Sequence, residues 1–490
     1  MRGSKGASMR LQAFCFCLLA LAGAAGAAWM DDIGYTALAN RTGAIKAGGA
    51  GVVIAQVEAY AGGYAPDQTD AEFAGKTFTL KGVAASPVSA HATLVGRIIY
   101  GNSTGIARSA TDIRVFSDES FAGNQGLMRS TFGDPLTVGA GVINNSWIAS
   151  PEDPADAIDV LRRLDFLINR DNVLAVAAVN NGADSAYPPL IGGGYNSIVA
   201  GISSGSSAGP INIDGGPRAK PDLVVPAVNT SEAAAIVSGS AALLLSEMAA
   251  RGLPANASAV KAALLAGAKH LAGWHRGAAS TADDTAVPLD YTQGAGQLRL
   301  DRSFDILVAG RKKANKRVPR RGWDLGAAGP TRRPWYEINF TSTVRNFAAV
   351  LVWNRRFEGT GQFASRTPVL ANLNLYLQRK YGSVWKNVLR SESRTDNVET
   401  VTRASLSAGL YRLLVKSDIT ERYALAWDCD SSASTASIAA APASYYPLSG
   451  APAAYAPGAA VSVPEPVLAP LLVTAGLLLT GRPRRRYNKA

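Results

Sequence analysis

The chain has 490 residues, of which 47% are hydrophobic and 18% charged, and its formal net charge is +12. This length exceeds one ordinary domain, and the composition excludes a disordered chain because it supplies enough apolar side chain for large cores. Cys15 and Cys17 lie in the N-terminal apolar stretch, so after processing Cys429 has no partner for an intramolecular disulfide.

Residues 1–28 have the layout of a secretory signal peptide. A short basic region precedes an apolar run, and small residues follow it up to Ala28. The apolar run is too short to span a bilayer comfortably, so we expect export and removal of the segment. The alternative is a buried first helix.

Residues 35–308 alternate between apolar, β-rich runs and helix-like segments. In residues 155–169, for example, apolar residues recur every three or four positions. Nearly continuous apolar strands separated by helices predict an α/β fold, in which a parallel sheet is buried on both faces. The predicted strands are 51–59, 113–117, 141–147, 172–179 and 197–202, and two long helices are predicted at 231–251 and 257–270.

The character of the sequence changes after residue 308. Residues 309–333 carry nine Lys or Arg with Pro and Gly, which predicts a solvated basic linker, with a polyanion-binding patch as the alternative. Residues 334–430 alternate polar and apolar side chains in short runs, which predicts an antiparallel β-sandwich resembling a jelly roll. Residues 431–460 are rich in Ala, Ser and Pro and read as a flexible spacer.

Residues 461–490 combine a Pro-Glu-Pro motif, an apolar stretch and a cluster of arginines. Physically this is a marginal membrane segment with a positively charged stop, which the positive-inside rule keeps cytoplasmic. The order of parts resembles the PEP-CTERM sorting tails of Gram-negative bacteria, and the resemblance implies processing by an exosortase-type enzyme. A plain single-span membrane anchor is the alternative.

Three histidines make the search for a general base short. His270 and His275 lie at and just beyond the end of a predicted helix, where histidine commonly complements the helix dipole. His91 instead opens the helix-like segment HATLVGRII, with small residues behind it. It is the candidate base.

Ser231 begins a long helix of small residues, TSEAAAIVSGSAALLL. A serine at a helix N-terminus commonly acts only as a cap. Here the alanines that follow allow close approach of neighbouring backbone, and the helix end offers amide hydrogens where an oxyanion would develop. Ser231 is therefore the candidate nucleophile.

Six segments in this order resemble the motifs of the subtilases, over roughly residues 35–308. They are VVIAQVEA, SAHATLVGRI, GVINNSW, VLAVAAVNNG, KPDLVVPAVNTSEAAAIVSGSAALL and YTQGAGQLRL. The resemblance implies a subtilisin-like fold and a serine endopeptidase, with a peptide or protein substrate and no nucleic acid. It places the triad on Glu58, His91 and Ser231, an oxyanion-hole amide on Asn180, and substrate-backbone binding on Ser146, Trp147 and Ile148.

The resemblance implies no cofactor and no catalytic metal. Structural calcium is not indicated, because the sequence holds no contiguous Ca²⁺ loop. Together with the two ends of the chain, the resemblance implies an exported enzyme. Its tail would anchor it in the membrane before processing, and the enzyme would then lie at the cell surface or outside the cell.

Several positions depart from the subtilase pattern. The triad acid is Glu58 rather than Asp, and Ala92, Val179, Asn229 and Ala235 stand where the family has Gly, Gly, Gly and Pro. These departures motivate a second hypothesis, a catalytically inactive relative that serves as a binding or cell-surface structural protein.

Two overlapping Gly-x-Ser-x-Gly sequences, centred on Ser203 and Ser207, match the nucleophile elbow of α/β-hydrolases. That elbow must lead directly into a helix. Because the Pro- and Gly-rich sequence GPINIDGGPRAKPDL follows, we expect no helix there and favour the peptidase.

Overall fold

The computed structural model describes residues 28–82, 86–149, 154–186, 190–277 and 284–431. The predicted signal peptide, spacer and C-terminal tail lie outside these residues, apart from Ala28 and Ser431 at their edges. The predicted fold class is confirmed: a parallel α/β sheet flanked by helices is followed by two packed antiparallel sheets.

The first sheet has seven parallel strands in the order β2-β3-β1-β4-β5-β6-β9. The order reverses between β1 and β4, and ligands of open α/β sheets bind at such a point, beyond the carboxyl ends of the strands. The strands are β1 Ile54–Glu58, β2 Thr77–Leu80, β3 Asp112–Ser117, β4 Val142–Asn145, β5 Leu174–Ala177, β6 Ile198–Ile202 and β9 Leu223–Val225, with β7 Gly209–Ile211 and β8 Arg218–Lys220 forming a separate hairpin.

Helices cover both faces of this sheet. They are α1 Tyr35–Ala39, α2 Ala90–Tyr100, α3 Asp118–Ala122, α4 Pro154–Asp171, α5 Thr230–Ala250, α6 Ala257–Gly267 and α7 Leu300–Val308. Apolar residues of α3 and α4 share one core with the β1 side chains Ala55 and Val57. The remaining helices share a second core with Ile54 on the opposite face, as the period of two in a strand requires.

Helix α5 is buried along nearly its whole length, which explains why it is apolar on all sides. It is the one helix among the described residues that is long and apolar enough to cross a bilayer, but it lies inside the molecule. Gly239 lets α5 approach α2 closely, because a Cβ at this position would lie 3.2 Å from the carbonyl oxygen of Ile99.

The C-terminal unit consists of two packed antiparallel sheets. One has five strands in the order β10-β12-β19-β16-β17, and the other has four in the order β11-β20-β13-β18. The strands are β10 Lys316–Arg317, β11 Gly322–Ala328, β12 Trp335–Phe340, β13 Val344–Val352, β14 Arg356–Glu358, β15 Thr367–Val369, β16 Leu373–Tyr381, β17 Val384–Ser391, β18 Val398–Leu406, β19 Gly409–Ser417 and β20 Glu421–Ser431. Strands β14 and β15 form a small hairpin of their own.

The structure differs from the expectation of a solvated linker over residues 309–333. This segment contains β10 and β11, which join one sheet each. Three of its arginines are paired with acids: Arg321 lies 2.6 Å from Asp428, Arg311 lies 2.9 Å from Asp324, and Arg317 lies 2.9 Å from Glu337. Part of the positive charge is thus neutralised by carboxylates, and one of them, Asp428, lies more than a hundred residues further along the chain.

The four-stranded sheet is buried on both faces and joins the two units. Along β13, Ala349 and Leu351 point into the β-sandwich, whereas Val350 and Val352 point into the core of the α/β unit. Helix α6 packs on β13 and β20 from that side. The β-sandwich is therefore built onto the α/β unit by a continuous apolar interface.

A buried ion-pair cluster adds a polar contact to this interface. Arg355 of the β-sandwich unit is 4% exposed and lies 2.7 Å from Asp165 on α4 and 2.5 Å from Asp214. Asp165 also accepts hydrogen bonds from backbone amides of the α/β unit. Such a cluster is costly to break, because removing the cation leaves carboxylates buried without their partner.

A second polar contact joins the β17–β18 loop to the α/β unit. Asp396 accepts a 3.1 Å hydrogen bond from Ala219 N and a 3.0 Å bond from the Ser393 hydroxyl. Burial raises the pKa of Asp396 to about 7, and the hydrogen bonds and the nearby Lys220 and Arg218 only partly offset the rise.

We expect Arg355→Met to lower the free energy of unfolding by about 3 kcal/mol or more, because it leaves the fully buried Asp165 without a cation, whereas Asp214 keeps Arg162. The matched control is Arg317→Met, which breaks an exposed pair with Glu337 and costs about 1 kcal/mol or less. Urea denaturation of both variants measures the difference, and equal losses would contradict the role given to the buried cluster.

The raised pKa of Asp396 also predicts a pH dependence of stability. The folded protein holds the Asp396 proton more tightly than the unfolded chain does. The contribution of this proton to the free energy of unfolding is therefore complete below pH 3.8 and is lost as the pH rises to about 7. We expect Asp396→Asn to flatten the decline in unfolding free energy across this range. Denaturation curves at pH 5 and pH 8 measure the unfolding free energy of both proteins. If the difference between the two pH values is the same in Asp396→Asn as in wild type, the prediction is wrong.

Candidate active site

The predicted site residues come from four different strands or the loops that follow them. Glu58 ends β1, Ser146 directly follows β4, Asn180 follows β5, and Ser231 lies in the helix that follows β9. Because carboxyl ends of parallel strands meet at one edge of a sheet, all four lie along the same edge.

The structure brings Glu58 and His91 into contact. Glu58 Oε2 lies 2.7 Å from His91 Nδ1. The Glu58 side chain is 1% exposed, whereas that of His91 is 41% exposed. A buried carboxylate thus fixes one ring nitrogen, and the other edge of the imidazole faces accessible space. The Ser89 hydroxyl, which accepts a 3.1 Å bond from Ala92 N, caps the helix that carries His91.

A buried polar chain holds the second oxygen of Glu58. Gln56 Nε2 donates to Glu58 Oε1 and to the carbonyl oxygen of Ala92, both at 2.8 Å. The Tyr100 hydroxyl donates in turn to Gln56 Oε1. Burial raises the pKa of Tyr100 well above its usual value, so this hydroxyl stays a donor. Sequence reasoning missed Gln56, although an amide two residues before Glu58 on the same face of an apolar strand was a usable signal.

At the start of α5, side chains satisfy two of the first three amides. Asn181 Oδ1 accepts from Thr230 N at 2.8 Å, and Asn229 Oδ1 accepts from Glu232 N at 2.9 Å. Among the described residues, the Ser231 amide between them has no acceptor. One amide hydrogen at the positive end of a 21-residue helix is therefore left open beside the Ser231 side chain.

The two asparagines after β5 have different partners. The Asn180 side chain donates to the carbonyl oxygen of Ala186 within its own loop. The side chain of Asn181 contacts Thr230, the residue before Ser231, through both the Thr230 amide and its hydroxyl. The oxyanion amide predicted on Asn180 stays a prediction. Sequence reasoning did not single out Asn181 as a contact of the α5 start, because adjacent asparagines give no signal of which one faces the helix.

The segment predicted to bind substrate backbone is tied to the Ser231 turn. The Ser146 hydroxyl donates a 2.9 Å hydrogen bond to the Ser231 carbonyl oxygen, and Asn144 Nδ2 donates to Ser146 at 2.9 Å. Trp147 is buried, with its indole nitrogen 3.3 Å from Asn145 Oδ1, while Ile148 is partly exposed.

Glu232 is an acidic residue at the site that the sequence analysis did not single out. It follows Ser231 and is 4% exposed. Burial raises the pKa of Glu232, and the amides of Val228 and Asn229 and the charge of His91 partly offset the rise.

Two departures from the subtilase pattern have a local explanation. Asn229 has φ −142° and ψ 168°, an extended conformation open to any residue, and it caps α5 with its own side chain. Val179 is fully buried and its carbonyl oxygen accepts from the Thr230 hydroxyl. Among the described residues, neither position has the positive φ that would require glycine.

The nucleophile-elbow sequence does not lead into a helix. Ser203 donates to Gln297 Oε1 at 2.9 Å, and the next element along the chain is strand β7. His270 is likewise accounted for locally, because its ring stacks on Trp274 at a centroid distance of 3.5 Å.

No family model matches the chain, and no curated protein matches it. Several solved structures are similar to it. The prenylagaramide maturation protease PagA is 21% identical, with 52% of this chain and 92% of that chain covered and a TM-score of 0.37. The patellamide maturation protease PatA is 24% identical, covering 53% and 98%, with a TM-score of 0.36. The serine protease of Aeromonas sobria is 16% identical, covering 78% and 89%, with a TM-score of 0.37.

Because the two asparagines make different contacts, we expect their alanine variants to differ in stability. Asn181→Ala leaves the Thr230 amide without its acceptor at the helix start, so we expect a loss of about 1–2 kcal/mol in unfolding free energy. Asn180→Ala is the matched control, because it removes one bond in a partly exposed loop, and we expect about 0.5 kcal/mol or less. Chemical denaturation measures both losses. A larger loss for Asn180→Ala would contradict the conclusion that Asn181 is the asparagine that stabilises the start of α5.

Proposed function

We propose that the chain is a serine endopeptidase that cleaves peptide bonds through an acyl-enzyme. The observation that carries the proposal is the 2.7 Å contact between a buried Glu58 carboxylate and Nδ1 of an accessible His91. A carboxylate–imidazole pair of this kind is the base of a hydrolytic triad, and Ser231, at the open end of α5, is the hydroxyl that it would serve.

In acylation, His91 Nε2 takes the proton of the Ser231 hydroxyl as the oxygen attacks the scissile carbonyl. The imidazolium that forms carries positive charge next to Glu58, whose carboxylate stabilises it and holds the ring in one tautomer. The same proton then passes to the leaving amine. In deacylation, His91 takes a proton from a water molecule as the water attacks the acyl-enzyme. That proton then passes to the Ser231 oxygen, and the acid product is released.

The negative charge on the tetrahedral intermediate needs donors that are already in place. The Ser231 amide supports this role, because neighbouring side chains satisfy the amides on either side of it and leave it open. We propose an asparagine side-chain amide as the second donor. Asn180 takes that role by its place in the motif, and reaching the oxyanion requires it to exchange its bond to Ala186 for the substrate.

We further propose that residues 146–148 bind substrate backbone beside this site. Ser146 supports this arrangement because it ties the segment to the Ser231 carbonyl oxygen. The protein would be exported through residues 1–28, held in the membrane by residues 461–490, and released to the cell surface or medium after an exosortase-type enzyme processes the tail.

An activity-based probe tests the proposal. We expect a fluorophosphonate to label the protein and Ser231→Ala to abolish labelling, because only an activated hydroxyl attacks the phosphorus. Ser203→Ala is the matched control, since it removes the serine of the Gly-x-Ser-x-Gly motif, and it should label normally. Wild-type protein that resists labelling would favour the inactive binding protein, and labelling lost only in Ser203→Ala would favour an esterase.

The role of the acid predicts a specific kinetic loss. Glu58→Gln keeps the shape of the side chain but supports the wrong tautomer of His91, so we expect kcat to fall by about 10⁴, the loss known for a chymotrypsin triad acid replaced by its amide. KM should change little, because Glu58 is buried and does not reach substrate. Steady-state hydrolysis of a peptide library measures both constants. A fall of tenfold or less would show that Glu58 is not the triad acid.

A further inference from the structure

The turn between β16 and β17 forms an exposed hairpin tip at the outer edge of the five-stranded sheet. We call residues 379–386 the basic hairpin. Tyr381 and Val384 face each other across a two-residue turn. The first turn residue, Gly382, has φ 59°, a conformation that glycine adopts readily and that two-residue hairpins use.

The tip presents apolar side chains to solvent. Tyr381 is 51% and Val384 54% exposed, and Trp385 beside them is partly exposed. Among the described residues only seven large hydrophobic side chains are exposed, and this is the one pair of them that is matched across a hairpin. An aromatic and an aliphatic side chain thus lie side by side in water and form a small apolar patch at the tip.

Cations surround this apolar tip. Lys386 Nζ lies 5.8 Å from the Tyr381 ring centroid, and Lys380 Nζ lies 5.9 Å from that of Trp385. Arg412 on β19 stacks over the other part of the tip, 4.5 Å from the Trp385 centroid. Within the part of the chain that the structure describes, no carboxylate forms an ion pair with Lys380 or Lys386, whereas Arg317 and Arg390 on the same sheet do pair with acids.

We propose that the basic hairpin docks the protein onto an anionic phospholipid bilayer. Tyrosine and tryptophan favour the interfacial zone of a membrane, and lysines beside them attract acidic headgroups. The exposed apolar pair, Tyr381 and Val384, favours a bilayer over a soluble polyanion as the partner. A nucleic acid or acidic polysaccharide would satisfy the lysines but leave Val384 in water, whereas a bilayer receives both.

This docking does not depend on the proposed peptidase activity. The basic hairpin belongs to the five-stranded sheet of the β-sandwich, whereas Glu58, His91 and Ser231 belong to the α/β unit. Catalysis and membrane docking therefore succeed or fail separately, and a Ser231→Ala protein is suitable for every vesicle experiment because it cannot digest itself.

Vesicle binding of the full chain tests the proposal, with phosphatidylcholine vesicles compared with vesicles that also contain phosphatidylglycerol. The two terminal segments stay the same in every variant, so differences between variants report the hairpin alone. We expect the paired substitution Lys380→Glu and Lys386→Glu to lower partitioning onto the anionic vesicles about tenfold or more. The matched control, Lys313→Glu with Arg403→Glu, reverses two exposed charges elsewhere in the β-sandwich and should leave partitioning within about twofold.

A second pair tests insertion. Tyr381→Ser with Val384→Ser keeps every charge but removes the apolar tip, and we expect at least a threefold loss on anionic vesicles. Bromine-labelled lipid should quench the wild-type tryptophan emission more than that of Trp385→Phe. The proposal is overturned if the control pair loses as much binding as the hairpin pair, or if the serine pair binds like wild type and soluble heparin displaces the protein, which would identify a soluble polyanion instead.

Discussion

A single carboxylate held away from water is the constraint on which the site depends. Glu58 is almost completely buried, and its two oxygens are bound by His91 Nδ1 and by Gln56 Nε2. A buried carboxylate without such partners would be protonated or would destabilise the fold. Because Gln56 is itself bound by Tyr100 and Ala92, the position and tautomer of His91 are set by a chain of contacts that reaches into the core.

The rest of the α/β unit sets the position of the helix that carries Ser231. The helix that carries His91 and the helix that carries Ser231 pack against each other, and Gly239 allows the close approach. Small residues along α5 therefore allow the two helices to lie close together. The Ser146 bond to the Ser231 carbonyl oxygen fixes the same turn from the neighbouring strand.

Much of this arrangement could be predicted from the sequence. Continuous apolar strands gave the parallel sheet, period-two alternation gave the β-sandwich, and the scarcity of histidine reduced the candidate base to His91. What the sequence concealed depends on contacts between distant residues. Residues 309–333 look like a solvated linker because the carboxylate that neutralises Arg321, Asp428, lies far along the chain. The contact of Asn181, rather than Asn180, with the start of α5 was likewise hidden, because it depends on which of the two side chains faces Thr230.

The crystal structure of a peptidyl phosphonate complex tests the central claim most directly. The account predicts a covalent bond from phosphorus to Ser231 Oγ, His91 Nε2 within hydrogen-bond distance of that oxygen, and the phosphonyl oxygen on the Ser231 amide and an asparagine side chain. His91 Nδ1 should remain on Glu58. An inhibitor bound to another residue, or an imidazole turned away from Ser231 in the complex, would contradict the account.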